Sequence, residues 1–190
     1  MTPLERLFAL EQFGIKLGLD NIRAILSALG NPERSYRSIH IGGTNGKGSV
    51  AAMVERALRA AGLRTGRYTS PHLDRIEERV ALDGQSVDRQ TFEAVTKYVL
   101  DTVDALREEG TLKVWPTFFE VSTAVAFEIF KRAGVEAAVI EVGLGGRFDA
   151  TNVLNHPNLD TPSLSGTTLG TIGGKGTNVR EIQGSLRLTF

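Results

Sequence analysis

The sequence contains no cysteine. That excludes disulfides and thiolate metal sites, and it suits a reducing cytosol. Charge of neither sign is in excess, because 22 Lys and Arg balance 22 Asp and Glu. The balance gives no reason to expect nucleic acid or an anionic membrane as partner. No uninterrupted apolar run approaches the ~20 residues needed to cross a bilayer. The first residues, MTPLERLFALEQFG, carry charge early and have no long apolar stretch, so no signal peptide is expected. With 190 residues, the chain is long enough for one domain with a real core.

Glycine, by contrast, is abundant, with 21 residues where roughly 7% of a chain is usual. It gathers at 42–48, at 143–146 and after 165. Apolar residues at helical spacing (Leu4, Leu7, Phe8, Leu10, Phe13) predict a first helix. A second is expected from Asp20 as N-cap to Leu29, stopped by Gly30 and Pro32. Residues 38–41 read as a strand that runs into the first glycine cluster. A helix over 49–61 follows, with Val50, Met53, Val54, Ala57 and Leu58 on its buried face. The stretch RTGRYTS reads as a second strand. RIEERVALDGQSVD reads as a strand and then a turn at Asp83-Gly84. Residues 88–109 read as a helix with a break near its middle. A buried helix with Pro116 at its start and Gly134 at its end comes next, then a fully buried strand, VEAAVIEVGLGG. Strands alternating with helices predict an α/β domain with a mainly parallel sheet flanked by helices. Ligands bind such sheets at the C-terminal ends of the strands. Residues 42–49, 69–72 and 141–152 all fall there.

The stretch SIHIGGTNGKGSV, 38–50, has the parts of a phosphate-binding loop. Glycines free backbone N–H groups to face an anion, a lysine reaches the phosphates, and a helix N-terminus points at them. The strict pattern G-x-x-x-x-G-K-S/T is not met. Ile41 stands at the first glycine position, and Gly48 follows Lys47. Glu141 ends the apolar run AAVIE, where a carboxylate is costly without a cation. That cation is either Mg²⁺, which takes oxygen ligands, or a basic side chain such as Arg147 or a lysine. Ser70 offers a hydroxyl at the end of the neighbouring strand, or caps the turn before Pro71. His72 reads as a hydrogen-bonded structural residue.

Five segments occur together and in order: GTNGKGS at 43–49, YTSPHL at 68–73, RIEERV at 75–80, PTFFE at 116–120 and EVGLGGRFDATN at 141–152. Together they resemble the N-terminal part of folylpolyglutamate synthases and of bifunctional dihydrofolate/folylpolyglutamate synthases, within the Mur-ligase-like ATP-dependent amide ligases. The resemblance runs from about residue 4 to 154. It implies a P-loop NTPase-like fold and ATP-dependent ligation of L-glutamate to dihydropteroate or a folate through an acyl phosphate. ATP and Mg²⁺ are the implied cofactors. Thr44, Asn45, Gly46, Lys47, Gly48 and Ser49 would hold the ATP phosphates. Ser70 and Glu141 would bind Mg²⁺, and Lys47 and Glu141 count as the catalytic groups. The pterin-binding segments correspond to Gly14, Ile15, Lys16 and Leu17, and to Thr117, Phe118, Phe119 and Glu120. Phe148 could add a wall. Of Phe118 and Phe119, one is expected in the core. A cytoplasmic monomer that acts on small molecules, without nucleic acid or membrane, is the further implication.

After about residue 158 the sequence leaves this pattern. Thr161 stands where a metal-binding histidine of the family would, and the C-terminal glutamate-ligase domain has no counterpart. The expected organisation is an incomplete ATP-binding domain over 1–154 and a low-complexity, disordered or aberrant tail over 155–190, as a shifted reading frame would produce. The parallel sheet would then have an uncovered edge. Such a truncated chain is expected to have little activity alone. The alternative is a non-catalytic nucleotide- or folate-binding protein.

Overall fold

The computed structural model describes residues 1–14, 18–43 and 45–143, and the backbone of 184–189. Three parallel strands form its centre. β1 (Arg37–Gly43) and β2 (Thr65–Tyr68) pair on either side of β5 (Ala137–Glu141). Antiparallel strands flank them. β3 (Val80–Leu82) pairs with β2, β4 (Gln85–Ser86) with β3, and β6 (Gly184–Thr189) with β1, giving the order β4-β3-β2-β5-β1-β6. All five residues of β5 are buried. A strand covered on both faces has this continuous apolar sequence, and the alternation of its side chains divides the core in two. Val139 packs with Ile39, Ile41 and Ala51 under α3 (Lys47–Ala60). Ala138 and Ile140 face the larger core built by α1 (Pro3–Ala9), α2 (Asp20–Ala28), α4 (Arg89–Glu108) and α5 (Phe118–Arg132).

Local chemistry accounts for the helix starts. Thr2 and Glu5 close a capping box ahead of α1, with Pro3 in the first turn. The Asp88 carboxylate accepts from the Thr91 N–H at 2.8 Å ahead of α4. That helix is unbroken, because its buried stripe (Phe92, Val95, Val99, Val103, Leu106) keeps helical spacing throughout. Asp20 is the first helical residue of α2 and not its cap, which is Leu19. Helix α3 starts two residues earlier than its sequence suggests. Its buried side is also rotated, so that Met53 is 69% exposed. Glu55 turns inward instead, because the Thr65 hydroxyl donates to its Oε1 at 2.6 Å.

The stretch 75–82 is a strand only in its second half. Residues Ile76–Arg79 form a 3-10 turn. The Glu78 carboxylate accepts the N–H groups of Leu73 and Arg75 there, which diverts the backbone from the sheet. Asp83 and Gly84, both at positive φ (47° and 82°), make the two-residue turn of the β3–β4 hairpin.

Within the tail expected to be low-complexity, disordered or aberrant, residues 184–189 form a strand. Leu186 and Leu188 alternate with polar residues there, and β6 pairs along the outer edge of β1 from Ser38↔Thr189 to Gly43↔Gly184. The edge expected to lie uncovered is therefore paired.

Gly66 lies in β2 directly under Phe130, and a Cβ there would meet the ring at 2.7 Å. Phe130 is fully buried and cannot yield cheaply. Gly66→Ala is expected to destabilise the fold by about 1–3 kcal/mol, measured by urea unfolding. An unchanged midpoint would show that the strand and helix separate freely.

Candidate functional site

The parallel register brings three chain segments to one end of the sheet. Ile41 of β1 lies beside Glu141 of β5, and Tyr68 of β2 beside Ile140. Period two then decides which way Glu141 faces. It shares a face with Val139, and that face is covered by α3. The carboxylate consequently sits at the N-terminus of α3. Lys47, the first residue of that helix, holds its Nζ 4.0 Å from Glu141 Oε1. The Ser70 N–H donates to Glu141 Oε2 at 3.2 Å. Glu141 is only 6% exposed, so these two groups offset much of the cost of burying it.

Among the described residues, nothing caps the helix N-terminus beside it. Gly46 precedes α3 at φ 75°, ψ 6°, and no side chain caps the first turn. Glycine is favoured at such a left-handed position. A Cβ at Gly48 would lie 3.6 Å from Glu141 Oε2, in ordinary van der Waals contact, so the carboxylate packs directly against the first turn of the helix. Asn45 and Ser49 are exposed at the same end. Thr44 lies outside the described residues.

A second group of residues, mainly aromatic, adjoins this one at the start of α5. Thr117 and Glu120 close a capping box, with the Glu120 carboxylate accepting from the Thr117 N–H at 2.8 Å and from its hydroxyl at 3.0 Å. Both side chains are thus engaged in starting the helix. Phe119 is 43% exposed. It leans on Tyr68 and covers Gly143, where a Cβ would meet its ring at 3.1 Å. Phe118 is half-buried against the main core, as expected for one of the pair. It stacks on Phe8, with centroids 5.7 Å apart, and lies under the Arg79 guanidinium at 5.0 Å. The Arg79 Nε donates to His72 Nδ1 at 2.9 Å, so His72 has the structural hydrogen bond its sequence suggests.

Phe8, Tyr68, Arg79 and Gly143 were not among the predicted site residues. Phe8 read as one more position on a helical apolar face, and Arg79 as part of a strand. Neither pattern carries a signal of the long-range contact. Gly14 ends the 3-10 turn Leu10–Phe13 at φ 63°. Ile15, Lys16, Leu17, Phe148 and Arg147 lie outside the described residues. Among the described residues, no cluster of three or more His, Cys, Asp or Glu could hold a metal by itself.

No protein-family model matches the chain. Curated proteins do. A dihydrofolate synthase/folylpolyglutamate synthase from Mycobacterium tuberculosis is 46% identical over 144 residues, 73% of this chain and 30% of that protein. A probable bifunctional folylpolyglutamate synthase/dihydropteroate synthase from Haloferax volcanii is 42% identical over 149 residues, 78% of this chain and 17% of the relative. The chain is similar to the N-terminal part of folylpolyglutamate synthases. Solved structures agree. The enzyme from Thermotoga maritima superposes with TM-score 0.68 at 44% identity, over 76% of this chain and 34% of that one. That of M. tuberculosis, in complex with ADP and AMPPCP, gives TM-score 0.69 at 43% identity, over 80% and 34%. The chain thus spans a third or less of the curated relatives named here.

The segment after Ser70 is held by Glu78, whose pKa lies below the ordinary carboxylate range. The N–H of Leu73 is the main cause and that of Arg75 the next. The charged form is therefore the one that binds these amides. Its contribution is complete above the unbound value of 4.5 and is lost as pH falls through the lower, folded value. Amide exchange of Leu73 and Arg75, corrected for intrinsic rate, should be slow at neutral pH and accelerate in acid. In Glu78→Ala it should be fast at every pH. Protection that persists in the variant would remove Glu78 from this role.

Proposed function

We propose that the chain forms the nucleotide- and pterin-holding part of an ATP-dependent ligase. The reaction joins the amino group of L-glutamate to a carboxylate of dihydropteroate or of a folate. The observation that supports this best is the meeting of Lys47, Gly48, Ser70 and Glu141 at one end of a parallel sheet, beside an uncapped helix N-terminus. Phosphates would lie against the first N–H groups of α3, with Asn45, Gly46, Gly48 and Ser49 leaving room and Lys47 countering their charge. Thr44 completes that loop in sequence.

The donor set suits a hard cation. Glu141 would hold the ion through a carboxylate oxygen and Ser70 through its hydroxyl, since Mg²⁺ commonly takes one or two protein oxygens and fills the rest with water and phosphate. When bound, Mg²⁺ supplies charge neutralisation at the phosphates. A carboxylate is a poor electrophile. Transfer of the terminal phosphoryl group of ATP to it releases ADP and creates a leaving group. The glutamate amine then attacks the acyl carbon and displaces phosphate. In this chain's share of that sequence Lys47 and Glu141 are the catalytic groups, and the rest is positioning. Phe119, the open member of the pair, would bound the flat pterin, with Phe118 behind it on Phe8 and the Gly14 and Thr117–Glu120 segments at its rim. The even charge gives no reason to expect nucleic acid or an anionic membrane, and we infer small-molecule partners, a monomer and a cytoplasmic location.

The second reading is a binding protein without turnover. The loop, the lysine and the buried carboxylate would serve nucleotide binding alone as well as catalysis. ADP release that requires both dihydropteroate and glutamate supports ligation, whereas saturable binding without ADP release supports the second reading. Both require the loop. Lys47→Ala should weaken Mg·ATP binding by roughly ten- to a hundredfold, the range expected for one charge-assisted contact. Calorimetric titration checks this, and retained affinity would overturn the assignment of the loop.

A further inference from the structure

Three elements meet at a tryptophan that the site described above does not use. Trp115 lies two residues before the Thr117 cap of α5, and its ring runs nearly parallel to that of Phe13, at 12° and 6.5 Å between centroids. Phe13 is the last residue of the 3-10 turn after α1, and Gly14 follows it at positive φ. Arg107, in the last turn of α4, places its guanidinium 5.1 Å from the Trp115 ring centre. That arginine is itself fixed, because its Nη1 donates to the Leu112 carbonyl at 2.9 Å. Neither ring is interior. Phe13 is 42% exposed and Trp115 39%. A stack left this open adds little to the core, yet it ties two short segments to each other beyond what their area burial does. Those segments, ending at Gly14 and beginning at Thr117, are the two that the proposed function sets at the rim of the pterin.

We infer that Trp115 is a positioning residue: stacked on Phe13 and backed by Arg107, it fixes the Gly14 end of the turn against the start of α5 and so shapes the seat of a flat heterocycle beside Phe119. The inference rests on the pterin reading of this site. It predicts that the stack governs the heterocyclic ligand and leaves the nucleotide alone, since Lys47 and Glu141 belong to other elements.

The test is equilibrium dialysis of the whole chain with dihydropteroate, and separately with Mg·ATP. The variants are Trp115→Ala, Trp115→Phe, Phe13→Ala and the double alanine variant. Trp115→Ala and Phe13→Ala should each weaken dihydropteroate binding by about tenfold, as loss of one aromatic pair allows. The double variant should lose no more than either, and Trp115→Phe should recover most of the affinity. Nucleotide binding should stay within about twofold. Trp115 is the only tryptophan in the chain, so emission reports this ring by itself. Phe13→Ala should shift it to longer wavelength while far-ultraviolet circular dichroism is unchanged.

Dihydropteroate affinity unchanged in both single variants, with the wild type binding normally, overturns the inference and leaves the pterin reading standing. An equal loss of nucleotide affinity, or an unshifted emission, also overturns it, because the stack would then serve the fold or be absent. A wild type that binds nucleotide but not dihydropteroate sinks the pterin reading, and the inference with it.

Discussion

Glu141 places a carboxylate at the last position of a strand buried on both faces. In that setting a carboxylate needs compensating charge or hydrogen bonds, and the neighbouring segments are arranged to give both. The helix that covers its face begins with a lysine. The strand on its other side turns away at Ser70, leaving a backbone N–H aimed at the second oxygen. Each feature is ordinary alone. Their coincidence follows from topology, because β1, β5 and β2 run parallel and end together. A loop after any one of them can therefore reach the end of the central strand.

The same strand end connects the charged region to the aromatic one. Two residues past Glu141 lies Gly143, where an added Cβ would come within 3.1 Å of the Phe119 ring. Phe119 belongs to the helix that follows a capping box. The cap thus does more than stabilise α5. It sets where the first turn lies, and with it which of two adjacent phenylalanines stays open and which packs on Phe8 beneath Arg79. A charged region and a partly exposed aromatic ring then lie on either side of a single strand terminus. The proposed reaction, which carries a phosphoryl group to a carboxylate borne by an aromatic molecule, would call for that adjacency.

What could be read from the sequence was what local pattern determines. β5 showed itself as an unbroken apolar run, and the Asp83-Gly84 turn by residue type. The loop before α3 was visible in its glycines, and Lys47, Ser70 and Glu141 stood out because each ends or begins an element. What stayed hidden depended on partners distant in the chain. Glu55 faces inward and Met53 outward because Thr65, on another strand, offers a hydroxyl. Residues 76–79 leave the strand because Glu78 binds the amides behind it. Phe8 meets Phe118 across 110 positions, and no periodicity reports such a contact. Even α2 followed its pattern to within a residue, and only the role of Asp20 changed, from cap to first turn.

The flanking strands complete the argument about access. β3 pairs antiparallel on the outside of β2, and β6 does so on the outside of β1. The parallel trio is thereby bounded laterally on both sides. Helices cover its two faces, α3 on one and α4 and α5 with their neighbours on the other. At the strands' N-terminal end, backbone pairs such as Arg37 N–H to the Glu136 carbonyl and Glu136 N–H to the Arg64 carbonyl join the entering segments. The C-terminal end differs in kind: the helix there begins on a bare glycine, a buried carboxylate faces a lysine, and an aromatic ring remains partly in solvent. Among the described residues, that end is the one the proposed ligands would use, with a phosphate against the first N–H groups of α3, a cation at the carboxylate and a flat ring on the exposed phenylalanine face.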